Sequence, residues 1–224
     1  MLRILTWPNR VTITRIGLLF FLVVLIYYET LWARILASGL VVLVIVMDWL
    51  DGFLARKLHE STVLGSVLDI AGDRIIESVL WIVLADLNLV PVWIPIVVIS
   101  RTILTDSIRG YTLRFGYTAF GKKTMMTSKL GKFLTGSPFM RTPYAILKAF
   151  TFGLLLLLTA MDKIVMRSSI IQQAWIDVAW EIGYWMAVTT ALMCLVRGIP
   201  VIIEGIVLIH YKESGSETPD TPGH

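Results

Sequence analysis

Four aspartates lie between two apolar stretches of the sequence, where ionisable side chains need a physical reason. Asp48 and Asp51 end one stretch, and Asp69 and Asp73 begin the next. A carboxylate inside a membrane segment is costly unless it is paired, hydrated or bound to a cation. Residues three or four positions apart share one face of a helix. The spacing therefore predicts two facing helices whose four carboxylates converge on a cation.

Small residues at helical spacing from the aspartates predict an open side to this site. These residues are Gly52, Ala55 and Gly65, and their short or absent side chains would let a bulky ligand lie close to the helices. Oxygen ligands without Cys or His favour a hard ion, Mg²⁺ or Mn²⁺. Ions held in this way commonly clamp phosphate oxygens, and Arg56 could add a forked cation for the same phosphates.

Together these residues resemble the signature of the CDP-alcohol phosphotransferase family. The sequence matches every fixed position of the pattern D-x2-D-G-x2-A-R-x8-G-x3-D-x3-D. The resemblance implies transfer of the phosphatidyl group of CDP-diacylglycerol to an acceptor hydroxyl, with CMP as the leaving group. It also implies that two divalent ions, Mg²⁺ or Mn²⁺, are held by Asp48, Asp51, Asp69 and Asp73. In the family the last of these, Asp73, is the general base.

The resemblance extends to residues that would bind the cytidine nucleotide. The contacts implied by the family pattern are Gly52, Ala55, Arg56, Thr62 and Gly65. Near the start of the chain, Pro8, Asn9, Thr12 and Arg15 are similar to a P-N-x-x-T-x-x-R pattern of many family members. This adds Asn9 and Thr12 as nucleotide contacts. The alternative for this stretch is a cationic anchor for the first helix.

A second group of basic residues predicts a site for an anionic acceptor. Arg101 and Arg109 lie eight positions apart on one face of an apolar segment, and arginines buried in such a segment indicate a bound anion such as a phosphate. The segment and the later Lys129 and Lys132 are similar to bacterial phosphatidylglycerophosphate synthases, which implies that these four residues bind sn-glycerol 3-phosphate. Arg74, directly after the signature, is instead similar to the branch that uses inositol phosphate. The acceptor thus stays open between these and another polar alcohol.

The composition predicts an integral membrane protein of the all-α class. The chain has 224 residues, is 56% hydrophobic and has a mean hydropathy of +0.77, which is too apolar for an ordinary soluble domain. Apolar stretches long enough to span a bilayer lie at about 12–28, 31–54, 66–88, 91–113, 143–161 and 178–209. We therefore expect a bundle of six transmembrane helices in a domain over residues 1–212. This domain would begin with a short amphipathic segment (1–15) at the membrane interface, and a disordered tail (213–224) would follow it.

The distribution of Lys and Arg predicts the orientation in a bacterial-type inner membrane. Most basic residues that flank the apolar stretches fall on the side that holds both termini and the aspartates, whereas Arg34, Lys163 and Arg167 fall on the other side. An excess of Lys and Arg marks the cytoplasmic side, so the site is expected to face the cytoplasm. The expected partners are CDP-diacylglycerol, the polar acceptor and membrane lipid, and no nucleic acid. The family resemblance implies a homodimer.

Two functions of other classes are alternatives to an enzyme. A divalent-cation transporter also places carboxylates within a membrane, but it needs a polar path to the far side, and the aspartates here cluster at one end of their helices. A non-catalytic lipid-binding protein would not need all four aspartates. Release of CMP from CDP-diacylglycerol would distinguish the enzyme from both.

Overall fold

The computed structural model describes residues 7–28, 30–58, 63–117, 124–165 and 170–214, and the regular elements of these residues are α-helices. The predicted all-α class is therefore confirmed. The helices are α1 (Trp7–Tyr27), α2 (Leu31–Leu58), α3 (Val63–Asp86), α4 (Trp93–Leu113), α5 (Lys129–Gly136), α6 (Pro138–Val165) and α7 (Ile170–Glu213).

Among the described residues, three segments are long and apolar enough to cross a membrane. They are Arg10–Tyr27, Lys129–Asp162 and Gln173–Glu213, and Leu31–Met47 is a shorter apolar stretch. The helices α3 and α4 are long enough, but the charged residues that they carry reduce their apolarity. The structure is thus compatible with a membrane protein, and the count of six spans stays a prediction.

Some helix bounds differ from those expected from the sequence. The expected interfacial segment is continuous with the first span, because α1 begins at Trp7; residues 1–6 lie outside the described part. The last helix, α7, continues through Gly198 and Pro200 for 44 residues. The short helix α5 was not predicted. Of the expected tail (213–224), Glu213 is the last residue of α7 and Ser214 follows it, whereas residues 215–224 lie outside the described part.

The chain divides into two compact units. The first comprises residues 1–92 and 148–187, and the second comprises residues 93–147 and 188–224, so the division falls inside α6 and α7. In the first unit, α1 packs against α2 and α3. Its core includes Leu19 and Leu22, one helical turn apart, and the edge-to-face pair of Trp81 and Phe152, whose ring centroids are 4.9 Å apart. The core of the first unit thus joins α1 to α2 and α3, and α3 to α6.

The second unit has its own apolar cluster. Met125 and Met126, which precede α5, are buried against Val201 and Leu208 of α7. The outer surfaces of both units carry many exposed apolar side chains, and Trp32 of the first unit, for example, is 79% exposed. Apolar patches of this extent are rare on soluble monomers, and they fit a surface that contacts lipid.

Candidate functional site

The two aspartates at the end of the predicted signature lie on one face of α3. Asp69 and Asp73 are four residues apart, which places them one turn from each other. Their side chains are 46% and 42% exposed. Gly65 lies one further turn towards the start of α3 and is partly buried. Gly65, Asp69 and Asp73 therefore form one stripe along α3, and the two carboxylates of this stripe are partly exposed.

Arg15 of α1 contacts both of these carboxylates. Its Nη2 donates to Oδ1 of Asp73 at 2.9 Å, and its Nη1 lies 3.7 Å from Oδ1 of Asp69. The arginine side chain is only 3% exposed. Hydrogen bonds between ionised groups are stronger than those between neutral groups, and each carboxylate here faces a different nitrogen of one rigid guanidinium. Arg15 thus fixes the position of the two aspartates relative to each other.

A glycine on α3 allows α1 to approach closely enough for this contact. A Cβ atom at Gly72 would lie 3.0 Å from Cγ2 of Thr12, which is tighter than an ordinary packing distance. Thr12 itself is 2% exposed. The side chain that was predicted to contact the nucleotide therefore contributes to the packing of α1 on α3, three residues before Arg15.

The other half of the predicted signature lies on the backbone of α2. Asp48, Asp51, Gly52, Ala55 and Arg56 all belong to this helix, but their side chains lie outside the described part, as does that of Asn9 on α1. Thr62 lies outside the described residues altogether. Where side chains are described, no group of three or more His, Cys, Asp or Glu residues forms a metal site. The convergence of all four aspartates stays a prediction.

A buried carboxylate lies one turn beyond Asp73 on α3. Oε2 of Glu77 is 3.6 Å from Nη1 of Arg74, and its Oε1 is 3.3 Å from Nζ of Lys148 on α6. The side chain of Glu77 is only 6% exposed. A buried charge is tolerated when it is paired, so the two cations explain how Glu77 is accommodated. The ion-pair cluster also joins α3 to α6 next to the aspartates.

In the second unit, the two arginines that were predicted to bind the acceptor make different contacts. Nη1 of Arg109 lies 3.8 Å from Oδ1 of Asp106 on the same helix. The side chain of Arg101 instead packs against Gly198 of α7, where a Cβ atom would overlap it. Eight helical residues correspond to about 12 Å along the axis. Arg101 and Arg109 therefore have different surroundings.

Two arginines that the acceptor prediction did not include are Arg197, which is the neighbour of Gly198 on α7, and Arg141, which interacts electrostatically with Arg197. The guanidinium of Arg197 on α7 lies over the ring of Tyr144, 4.9 Å from its centroid, and both Arg101 and Arg141 are close enough to repel it electrostatically. The Nε atoms of Arg101 and Arg197 are buried and have no hydrogen-bond partner among the described residues. A cluster of cations with unsatisfied donors can bind an anion such as a phosphate. The signal in the sequence was Arg197 itself, a charge within an apolar segment.

The predicted lysines lie on the short helix α5. Lys129 and Lys132 are exposed and one turn apart, and Ser128 caps the helix by accepting a hydrogen bond from the backbone N–H of Gly131 at 2.8 Å. The exposed Leu130 and Phe133 belong to the same helix. A helix that exposes both lysines and large apolar side chains is typical of a membrane interface.

Comparisons with known proteins match this chain to one family. A family model described as CDP-alcohol phosphatidyltransferase matches residues 5–162. A protein of Pseudomonas fluorescens is 31% identical over 117 residues, which are 51% of this chain and 60% of the relative. A protein of Bacillus subtilis is 31% identical over 114 residues, which are 46% of this chain and 59% of the relative. A protein of Pectobacterium atrosepticum is 29% identical over 136 residues, which are 59% of this chain and 72% of the relative.

These three relatives carry the name CDP-diacylglycerol–glycerol-3-phosphate 3-phosphatidyltransferase. The chain spans about 60% of the length of the first two. The match to the family model includes α1 and α3, and hence Arg15, Asp69 and Asp73, and it ends before α7 begins.

Proposed function

The chain belongs to the CDP-alcohol phosphatidyltransferase family, and we propose that it transfers the phosphatidyl group of CDP-diacylglycerol to sn-glycerol 3-phosphate, giving phosphatidylglycerophosphate and CMP. The observation that carries this proposal is the arrangement of Asp69 and Asp73, which the family signature requires and which Arg15 holds together on α3. The names of the relatives support the acceptor. We propose a homodimer in a bacterial-type inner membrane, with the site open to the cytoplasm.

The donor groups of this site fit a divalent ion. Asp69 and Asp73 supply carboxylate oxygens that are almost half exposed, and such oxygens suit Mg²⁺ or Mn²⁺. With Asp48 and Asp51 they would form the complete ligand set for two ions. When bound, the ions would neutralise negative charge on the diphosphate and on the departing CMP. The proposed nucleotide contacts are Gly52, Ala55, Arg56, Thr62 and Gly65, with Asn9 and Thr12 from α1.

The proposed reaction is a direct displacement at phosphorus. Asp73 takes the proton from the acceptor hydroxyl, whose oxygen forms a bond to the phosphorus atom that carries diacylglycerol. The bond from this phosphorus to the oxygen of CMP breaks, and CMP leaves with the electron pair. Arg15 keeps the Asp73 carboxylate in one orientation during this step through its hydrogen bond to Oδ1. Proton abstraction by a positioned side chain needs such a fixed geometry.

The basic residues of the second unit are proposed to bind the phosphate of the acceptor. Arg101, Arg141 and Arg197 form the arginine cluster, and Lys129 and Lys132 are the exposed lysines of α5. A dianionic phosphate would supply the acceptor atoms that the buried Nε groups of the cluster lack among the described residues. Because Arg109 already pairs with Asp106, it is the least favoured phosphate contact among the four predicted residues.

A CMP-release assay tests the proposed function. The purified chain is incubated in detergent with CDP-diacylglycerol and either Mg²⁺ or Mn²⁺. Separate reactions contain one acceptor each: sn-glycerol 3-phosphate, inositol phosphate or glycerol. We expect release of CMP and formation of phosphatidylglycerophosphate, detected by mass spectrometry, with sn-glycerol 3-phosphate and a divalent ion only. Release with inositol phosphate alone would reassign the acceptor to the branch that Arg74 resembles. No release with any acceptor would contradict the proposal, and ion uptake into vesicles would then test the transporter.

A further inference from the structure

A single carboxylate of α7 binds the start of α5. Oε2 of Glu204 accepts hydrogen bonds from the backbone N–H of Thr127 at 2.6 Å, from that of Ser128 at 3.2 Å and from Oγ1 of Thr127 at 3.2 Å. Its Oε1 accepts from Oγ of Ser128 at 2.5 Å. The same serine hydroxyl accepts from the N–H of Gly131. Glu204 therefore binds both the backbone before α5 and the side chain that caps it.

The packing around this carboxylate requires a glycine in the first turn of α5. A Cβ atom at Gly131 would overlap Oε1 of Glu204 and would lie 2.8 Å from Oγ of Ser128. A negative charge near the N-terminus of a helix is also favourable, because the first N–H groups point towards it. Shape and charge thus agree in placing the Glu204 carboxylate at this helix end.

We propose that Glu204 is a positioning residue for the acceptor site, because it sets the location of α5 and hence of Lys129 and Lys132. This inference rests on the proposed function for the identity of the bound phosphate. The two lysines lie within the first turn of α5, directly after the residues that Glu204 binds. Lys132 is also tied to Ser128, since its backbone N–H donates to the carbonyl of Ser128 at 3.0 Å. Releasing Ser128 from α7 would therefore displace both ammonium groups.

The apolar anchor of the same segment does not depend on Glu204. Met125 and Met126 are buried against Val201 and Leu208, so the chain before α5 stays attached to α7 when the carboxylate is removed. We therefore expect a Glu204→Ala variant to fold, with the start of α5 displaced. Glu204→Gln keeps one oxygen for the two backbone N–H groups and places an amide near the serine hydroxyl, so this variant is expected to retain most of the positioning.

The test compares how each substrate is bound by the purified chain and its variants. Glu204→Ala is expected to raise the KM for sn-glycerol 3-phosphate about tenfold, equivalent to about 1.4 kcal/mol, and to leave kcat and the KM for CDP-diacylglycerol within about twofold. For Glu204→Gln, kcat and both KM values should stay within about threefold of those of the unmodified chain. Glu181→Ala, which removes an exposed carboxylate from the same helix, is the matched control and should change none of them.

A second variant tests the contact by itself. Gly131→Ala is expected to raise the same KM, because its methyl group would meet Oε1 of Glu204. In the Glu204→Ala background this oxygen is gone, so the added methyl group should have a much smaller effect than in the unmodified chain. Such non-additivity is the signature of two residues in contact. Independent effects of the two substitutions would overturn the inference, as would an unchanged KM for sn-glycerol 3-phosphate in Glu204→Ala.

Calorimetric binding of sn-glycerol 3-phosphate separates this inference from the proposed function. Weaker binding in Glu204→Ala supports the positioning role even if the unmodified chain releases no CMP, in which case the proposed reaction alone fails. No binding to the unmodified chain would overturn the role at this acceptor site. An equal rise of both KM values, or a fall in kcat alone, would also overturn it, because the residue would then act on the whole fold or on the chemical step.

Discussion

Replacement of Arg15 should reduce turnover without preventing folding. The perturbation is Arg15→Gln, which removes the hydrogen bond to Asp73 at 2.9 Å and the ion pair with Asp69 at 3.7 Å. A hydrogen bond to a charged group contributes about 1.5–3 kcal/mol. If the whole contribution is lost from the transition state, kcat falls by about 10- to 150-fold, because about 1.4 kcal/mol corresponds to a factor of ten. We expect the lower end, because both carboxylates are almost half exposed.

The assay is the initial rate of CMP release at saturating substrates. Arg15→Lys keeps the charge but cannot present two nitrogens in a rigid fork, so it should recover only part of the rate. Arg34→Gln is the matched control, since Arg34 is an arginine of the same unit that donates to the backbone carbonyl of Thr159 at 2.9 Å, away from the aspartates. A rate for Arg15→Gln within twofold of the unmodified chain, or an equal loss in the Arg34 control, would refute the positioning of the aspartates by Arg15.

Three further predictions concern the rest of the site. Asp73→Asn should abolish CMP release, because the amide cannot take the acceptor proton, while binding of CDP-diacylglycerol to the purified protein persists. Glu77→Gln should lower the free energy of unfolding by about 3 kcal/mol, since it removes the buried charge that Arg74 and Lys148 contact, and adding Lys148→Met should restore part of this stability in a thermal-unfolding assay. Arg197→Gln should raise the KM for the acceptor at least fivefold by removing a cation from the arginine cluster, with an unchanged KM for CDP-diacylglycerol.

Each of these predictions has a result that contradicts it. Substantial turnover in Asp73→Asn would exclude this residue as the base. Unchanged thermal stability in Glu77→Gln would mean that the buried ion pairs contribute no net stability. Equal effects of Arg197→Gln on both KM values would indicate a general structural role for this arginine.

The sequence predicted the family and the helical class because both depend on local patterns. The signature from Asp48 to Asp73 has fixed spacings, and the match to the family model confirms the family that it indicated. The apolar stretches predicted most helices, since a bilayer sets their length. The short helix α5 was missed because it has only eight residues and lies in a glycine-rich, basic connection.

Contacts between distant parts of the chain could not be predicted in this way. Arg15 and Asp73 are 58 positions apart, and their contact depends on how α1 packs at Gly72. Arg101 and Arg109 were paired because they share a helix face, whereas the structure brings Arg197 of another helix to Arg101. Periodicity shows which residues share a face, but it does not show which helix that face meets.

Contacts at two glycines of α7 show the direction in which this helix runs relative to α4. Gly198 packs against Arg101 and Gly205 packs against Ile108, so a step of seven residues along α7 matches a step of seven along α4. Over these residues α4 and α7 are therefore parallel, and their C-terminal ends lie on the same side of the second unit.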